Sequence, residues 1–488
     1  MELDADICYR ALRSRDARFD GRFFIGVRTT GIYCRPVCPA RTPFRKNVSF
    51  YACAAAAEAA GFRPCRRCRP ETAPGTPAWA GTSTTVSRAL RLIGDGGLDE
   101  AGADMLAARL GVGARHLRRL FDEHLGASPV QVAQSRRLHA ARMLLDSTKL
   151  PVTDIAFSSG FGSVRRFNTA FKTAFDRSPR EVRAALRKGN AAERDAPLEV
   201  RLSYRPPFDW DGLLGFFAQR ALPGVETVED GAYSRTAQLD GNVGIISVRH
   251  DASRRHVVLQ LPARLAASLP QIAGRVRRLF DLQADPEAVK NHLSTDPRLR
   301  ALVKRRPGLR VPGAWEPFEI AVRAIVGQQV SVAAARTICG RIVAQYGGPV
   351  AKEAALTHVF PTSEKIARAQ MKGLGLTTRR ADTLRGISRA VASGSITFGV
   401  NGSLEGTVAQ LTALPGIGPW TAQYIALRAL GEPDAFPSGD LGLIRAWEAL
   451  TKKDSSAKEL DRAAESWRPW RAYAALHLWA SLSDGGGG

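Results

Sequence analysis

The chain is short of acid. Its 488 residues hold 46 aspartates and glutamates against 70 lysines and arginines, a net charge of +24. The isoelectric point is near 10.4. So basic a chain is not built to repel nucleic acid; its charge is the electrostatic footprint of a polyanionic partner. Composition alone leaves DNA, RNA and an acidic membrane surface open. Long apolar runs are also missing. Nothing approaches the roughly 18 apolar residues a membrane span requires, so no membrane partner is expected. The opening MELDADICYRALRSRD carries no apolar signal core, so the expected location is cytoplasmic. Cysteine is sparse and odd in number, with seven in all. That excludes a secreted disulfide framework and favours intracellular thiol or metal chemistry. Beyond residue 198 only Cys339 remains, so the expectation there is no iron–sulfur cluster.

What is present divides into three parts. At 44% hydrophobic and 24% charged the composition is that of a soluble globular protein. The length suggests about three domains. ETAPGTPAWAGTS (residues 71–83) and RKGNAAERDAPLE (187–199) read as linkers, being rich in Pro, Gly and polar residues without apolar periodicity. The expected domains are residues 1–75, 84–188 and 198–484, and the glycine tail 485–488 is expected to be disordered. Residues 1–190 hold 32 basic and 17 acidic groups, and the remainder 38 and 29, so both halves suit nucleic acid.

Cys34 and Cys38 stand as CRPVC, and Cys65 and Cys68 as CRRC. Two close pairs on separate turns are what a tetrahedral Zn²⁺–thiolate site needs. Four thiolates on Zn²⁺ carry a formal charge of −2, which Arg35, Arg41, Arg66, Arg67 and Arg69 are placed in sequence to offset. A purely structural zinc knuckle satisfies the same spacing. The surrounding text, RTTGIYCRPVCPAR and RKNVSFYACAAAAEAAGFRPCRRCRPE, resembles the N-terminal domain of the Ada family of methylation-response proteins. The resemblance implies that Zn²⁺ is both structural and thiolate-activating. It implies that Cys34 takes a methyl group from a methylated backbone phosphate, with Arg41 contacting the DNA. Cys8, Cys53 and Cys339 have no partner at ligand spacing and read as packed thiols.

The middle part repeats one pattern. In DMLAARLGVGARHLRRLFDEHL (104–125) an apolar helix turns at Gly111-Val112-Gly113 into an arginine-rich helix. In TDIAFSSGFGSVRRFNTAFKTAF (153–175) Gly160-Phe161-Gly162 makes the same turn. Each is a helix–turn–helix. The pair, joined by a long helix near 129–146 and closing on FKTAFDRSPREVR, resembles the AraC-type DNA-binding domain. The candidate reading faces hold Arg115, His116, Arg118 and Arg119, then Ser163, Arg165, Arg166 and Asn168. Arginine reads guanine bidentately in the major groove but as often touches only phosphate.

In the last part, LTALPGIGPWTAQYIALRALGEPDAFPSGDLGLIRAW (411–447) places an LPGIG hairpin between helices, with Asp440 22 residues beyond Gly418. Gly416 and Gly418 leave room for backbone N–H groups to approach a phosphate. A lone LPGIG is also a nonspecific DNA-binding hairpin; Asp440 favours an enzyme. With RPPFDWDGLLGFFAQRALPGVETV, VRAIVGQQVSVAAAR and WRPWRAYAALHLWA, the segment resembles the AlkA family of alkyl-base glycosylases. The resemblance implies a mixed β/α subdomain packed on a helix–hairpin–helix bundle. It implies a pocket of Phe216, Trp420, Tyr424 and Trp479 for a flipped, often cationic base. Asp440 would stabilise the sugar cation. The hairpin is also a candidate site for a monovalent cation.

Three departures narrow the expectation. Lyase-competent relatives carry Lys before the Thr-Ala of the hairpin; here it is Trp420, so simple hydrolysis is expected. The Pro-Cys-His-Arg motif of thiol methyltransferases is missing, which disfavours direct reversal of O-alkylated guanine. The apolar wedge of the best-known AlkA-type proteins is replaced by Gln329. The expected fold class is therefore multidomain α+β. It joins a zinc domain, a double helix–turn–helix and a helix–hairpin–helix glycosylase. The expected protein is a nucleoid-associated monomer acting on damaged and promoter double-stranded DNA. The competing reading is a methylation-sensing transcription factor with a non-catalytic glycosylase-like domain.

Overall fold

The computed structural model describes residues 4–74, 84–94, 96, 98, 102–187, 197–353, 355–398 and 403–484. Most of the two expected linkers and the 485–488 tail lie outside these residues. The chain forms two compact units. One holds Met1–Pro206, Leu239–Arg277 and Leu282–Asp285; the other holds Pro207–Gln238, Arg278–Asp281 and Pro286–Gly488.

The first unit opens with helix Ala5–Ser14, whose first N–H groups are capped by the Asp4 carboxylate at 2.8 and 2.9 Å. A small sheet follows. Strand Phe24–Val27 pairs antiparallel with Ile32–Cys34 and with Val48–Tyr51. Arg63–Pro64 then joins Ile32–Cys34 in parallel, setting Tyr33 opposite Pro64. This last pairing matters most. The N–H of Cys65 donates to the Tyr33 carbonyl at 3.0 Å, so the strand that ends in Cys34 carries the second cysteine pair beside the first. Tyr33 is fully buried and locks that register.

Two helix–turn–helix units follow. Ala103–Arg109 and Ala114–Leu125 meet at Gly111, whose φ of 68° suits glycine. Val152–Ser158 and Val164–Phe175 meet at Gly160, φ 86°. Between them runs Pro129–Ser147, started by Pro129 and a Ser128–Gln131 capping box. Apolar residues at helical spacing anchor both arginine-rich helices: Leu117, Phe121 and Leu125 in one, Phe167 and Phe171 in the other. The unit also contains strands Leu198–Ser203, Asn242–Asp251 and His256–Leu261, the last pairing antiparallel with both others.

The second unit is mainly helical. Its core gathers Ala321, Val322, Ile325 and Val326 of helix Pro317–Val326 with Ile338 and Ile342 of Val332–Tyr346, Leu384 and Ile387 of Thr378–Ala392, and Ile425 of Pro419–Ala429. Around it stand helix Trp210–Arg220, strand Glu226–Glu229 paired with Ala232–Leu239, and the terminal helices Leu441–Thr451 and Arg471–Asp484. The protein is thus multidomain, with mixed helix and strand, and the strands of its third sequence segment are divided between the two units.

Candidate active sites

The four cysteines converge. The Sγ atoms of Cys34, Cys38, Cys65 and Cys68 all lie within 4.8 Å of one another. Tetrahedral Zn²⁺ with Zn–S near 2.3 Å sets its sulfurs about 3.8 Å apart, so this donor set fits zinc. Cys38, Cys65 and Cys68 are buried, while Cys34 is partly exposed. Hydrogen bonding to the other three thiols pushes Cys34 up from the usual thiol range and draws Cys65 down. The arginines nearby divide. Arg35 is turned into an ion pair with Asp20, its Nε 2.8 Å from the carboxylate, and its Nη1 reaches Thr72 at 2.7 Å. Arg69 pairs with Glu71 and Asp146. The charges of those two are therefore matched by carboxylates rather than by the thiolates. Arg41, Arg66 and Arg67 are exposed. Cys8, Cys53 and Cys339 are buried and free.

The cluster is tied to the helix that joins the two helix–turn–helix units. Tyr33 Oη donates to Glu58 at 2.7 Å, and Nε2 of His139 on Pro129–Ser147 lies 3.2 Å from the same carboxylate. The ion pair raises His139, against the opposing effect of burial. On the reading helices Arg115, His116, Arg118, Arg119, Arg165, Arg166 and Asn168 are all exposed. Ser163 is the exception among the expected contacts: its hydroxyl caps the second helix, accepting from Arg166 N–H at 3.4 Å.

In the second unit a cavity of about 1640 Å³ is lined by Phe216, Gln329, Gly416, Gly418, Trp420, Tyr424, Asp440 and Trp479. Asp440 is the N-cap of Leu441–Thr451 and accepts from Leu443 N–H at 3.0 Å. Two indoles hold its oxygens, Trp479 Nε1 at 2.8 Å and Trp420 Nε1 at 2.9 Å. Trp420 stacks on Tyr424 with centroids 5.4 Å apart. Burial would raise Tyr424, but Arg428 and then Arg220 outweigh it and lower the phenol. Gly416 has a φ of 87°, and a Cβ there would lie 1.9 Å from Thr383 Oγ1. Gln328 braces the hairpin through Gly416 O at 3.0 Å and Thr421 Oγ1 at 2.9 Å. Gln329 is exposed at φ 55°.

Residues at this cavity that sequence reading did not single out include Arg220, Gln328, Arg428 and the exposed Leu441. Spacing held a signal for the arginines, since Arg220 lies four residues after Phe216 and Arg428 four after Tyr424, one helical turn.

Cavity, hairpin and capped carboxylate define a helix–hairpin–helix base-excision protein, and the thiol cluster adds a metal-binding module. Family models agree. Residues 7–71 match the metal binding domain of Ada, and 106–185 a helix-turn-helix domain. Residues 199–316 match the AlkA N-terminal domain, and 322–471 the HhH-GPD superfamily base excision DNA repair protein. The chain is 44% identical over 485 residues to a Mycobacterium tuberculosis protein described as a "probable bifunctional transcriptional activator/DNA repair enzyme AlkA", covering 99% of this chain and 97% of that one. It is 36% identical over 281 residues to the DNA-3-methyladenine glycosylase 2 of Escherichia coli, 57% of this chain and 95% of that one. Among solved structures, a 3-methyladenine DNA-glycosylase from Archaeoglobus fulgidus matches with a TM-score of 0.52 at 25% identity, over 59% of this chain and 99% of that one. The chain belongs to the bifunctional Ada–AlkA family, joining an Ada-type zinc domain and a helix–turn–helix domain to an AlkA-type glycosylase. No helix among the described residues is long and apolar enough to cross a membrane.

Proposed function

We propose that this protein repairs alkylated DNA by two chemistries and regulates the response to the damage. The observation that carries the enzymatic reading is the Asp440 carboxylate, held by two indole N–H groups in an aromatic-lined cavity. Residues 1–75 form the methyl acceptor, 84–188 the promoter-binding domain and 198–484 the glycosylase. The protein acts as a nucleoid-associated monomer on damaged and promoter duplex DNA.

Zinc, when bound, keeps the cysteines as thiolates at neutral pH. Cys34, the most accessible of the four, attacks the methyl carbon of a backbone methylphosphotriester. An S–C bond forms, the C–O bond breaks, and the phosphate oxygen leaves as the ordinary diester anion. The thioether has no easy return, so each molecule acts once. With zinc bound, the cluster's formal charge would move from −2 to −1. One unit charge about 10 Å from a phosphate is worth roughly 0.4–1.7 kcal/mol between effective dielectrics of 80 and 20. Over several phosphates this strengthens promoter binding through Arg115, Arg118, Arg119, Arg165 and Arg166.

In the glycosylase the damaged nucleotide flips out of the duplex, with Gln329 entering the gap and the Gly416–Gly418 hairpin holding phosphate. The base stacks among Trp420, Tyr424 and Trp479. As the base leaves with the electron pair of its glycosidic bond, Asp440 stabilises the sugar cation and water completes the hydrolysis. With Trp420 where a lyase carries lysine, no strand cut follows.

One experiment separates the activities. Duplex DNA carrying labelled methyl groups is treated with wild type, Cys34→Ser and Asp440→Asn. Label should pass to wild type and Asp440→Asn but not to Cys34→Ser. Free methylated base should appear with wild type and Cys34→Ser but not with Asp440→Asn. Asparagine keeps the helix cap, so the fold survives. No base release by wild type would leave a DNA-binding regulator without glycosylase activity, and equal release by wild type and Asp440→Asn would remove Asp440 from the chemistry.

A further inference from the structure

Helix Ala54–Ala59 of the zinc module has two buried faces. Ala57 packs on Phe24 and Tyr33 of the module's own sheet. Cys53, Ala55 and Ala56 are buried instead in one apolar core with Leu117, Phe121 and Leu125 of the first reading helix, Ala114–Leu125. Alanine on both faces lets both neighbours approach closely. The Cys53 thiol donates to the Leu125 carbonyl at 3.4 Å, one of the last carbonyls that a helix leaves without a partner of its own. Gly126 is the left-handed cap of that helix, φ 66°, and a Cβ there would touch Ala56 Cβ at 3.6 Å. The zinc module thus supplies part of the core beneath the first reading helix.

The same module reaches the second reading helix. Arg63, on the strand leading into Cys65, sets Nη1 2.5 Å from Oδ2 of Asp176, the left-handed cap of Val164–Phe175. A cation at a helix C-terminus also suits the helix dipole. Both side chains are exposed, so this pair orients the helix more than it stabilises it. Between the two heads, Glu58 and Arg69 hold His139 and Asp146 of the helix that joins them. One small module therefore touches the C-terminal ends of both reading helices.

We propose that the zinc module is a bracket that positions both reading helices on one stretch of duplex, with Ala56 and Arg63 as its positioning residues. The proposal rests on the promoter-binding reading of residues 84–188. Two helix–turn–helix heads read one site together only when their spacing suits successive major grooves, about one turn or 34 Å apart. With one head bound, a second head held in place binds intramolecularly, at an effective concentration that a loose joint does not give. The module's packing, and not only its charge, then sets how sequence is read. By reciprocity, promoter DNA stabilises the docked module.

The test uses zinc-loaded, full-length protein and the duplex that wild type selects from a random-sequence pool. Ala56→Leu puts an isopropyl group into the contact with Gly126 and leaves the module's charge unchanged. It should weaken binding to the selected duplex roughly tenfold or more and shorten the hydroxyl-radical footprint from two major grooves to one. Binding to a scrambled duplex, which is mainly electrostatic, should hold. Ala56→Ser, close to alanine in size, should bind as wild type does. Gly126→Asn wedges the same contact from the other side. Asparagine keeps the left-handed cap and every residue of the zinc module stays intact, so this variant decides the matter even if Ala56→Leu loses its metal. Asp176→Asn removes an acid, which by charge alone strengthens DNA binding, yet it should weaken protection in one groove. A two-groove footprint in both wedge variants, or tighter binding by Asp176→Asn, overturns the proposal. A wild type that selects no preferred duplex overturns the promoter-binding reading instead.

Discussion

Trp479 donates its indole N–H to Asp440 Oδ1 at 2.8 Å, across 39 residues of sequence. The bond aims the carboxylate. Trp479→Phe keeps most of the ring and removes the donor. A hydrogen bond to a charged group is worth about 1.5–3 kcal/mol, so single-turnover base release should fall roughly 10- to 100-fold. Methyl transfer to Cys34 should not change. A loss confined to substrate affinity would make Trp479 a stacking platform alone.

The zinc cluster anchors more than its own loop. Glu58 meets His139 and Arg69 meets Asp146, both on Pro129–Ser147. Farther along, Arg22 pairs with Asp285 at 3.2 Å, and the fully buried Arg205 donates to Pro74 O at 3.4 Å and Gln283 O at 2.7 Å. Removing zinc with a chelator should therefore raise amide exchange in Ile32–Cys34 first, then in Pro129–Ser147 and Leu198–Ser203. Exchange confined to residues before Pro74 would show that the module unfolds alone.

Two buried groups in the second unit titrate in opposite senses. Burial, aided by Arg306, holds His477 down at about 4, against 6.5 when unfolded. Its contribution is complete above pH 6.5 and is lost as the pH falls towards 4. Burial pushes Asp281 up to about 6 from 3.8, despite Arg310 and the 2.7 Å bond from Tyr473 Oη. Its contribution is complete below 3.8 and is lost as the pH rises towards 6. Each amounts to roughly 3 kcal/mol, so they offset one another between pH 4 and 6. Relative to wild type, His477→Gln should lose stability as the pH rises through that window, and Asp281→Asn should gain it. Denaturant midpoints at pH 4, 5 and 6 read both slopes.

The hairpin glycines should behave differently. Gly416 combines a φ of 87° with no room for a Cβ, so Gly416→Ala should destabilise by about 2 kcal/mol or more. Gly418 has an ordinary φ of −89°, and a Cβ there would meet nothing within 4 Å. Gly418→Ala should keep its thermal midpoint and yet bind abasic duplex more weakly, because the added methyl stands where phosphate approaches. Unchanged binding would remove Gly418 from the DNA interface.

For the reading helices, Arg118→Ala and Arg165→Ala should separate phosphate from base contacts. A lost phosphate contact lowers affinity for all sequences and reduces the salt slope by about 1; a lost base contact relaxes specificity at one position. Binding isotherms on promoter and scrambled duplexes across a salt series distinguish the two. No change on either duplex would place both arginines off the DNA.

The sequence by itself determined the modules and their chemistry. Cysteine pairs, tandem glycine turns and the LPGIG hairpin are local patterns, fixed by ligand spacing, by positive φ and by helical periodicity. They are legible because each is written within a few turns of chain. Cys34, Asp440 and Trp420 belong to such patterns. What tertiary structure alone decided are relations between distant residues. It set Cys65 against Tyr33 through one parallel pairing, turned Arg35 and Arg69 towards carboxylates, and divided the strands of the third segment between two units. It also gave Asp440 its indole partners and covered Phe216 with two guanidiniums. An arginine reads the same in sequence whether it faces a phosphate, a carboxylate or an aromatic ring. Only the packing around it, by supplying or withholding a counter-charge, decides what that cation can bind.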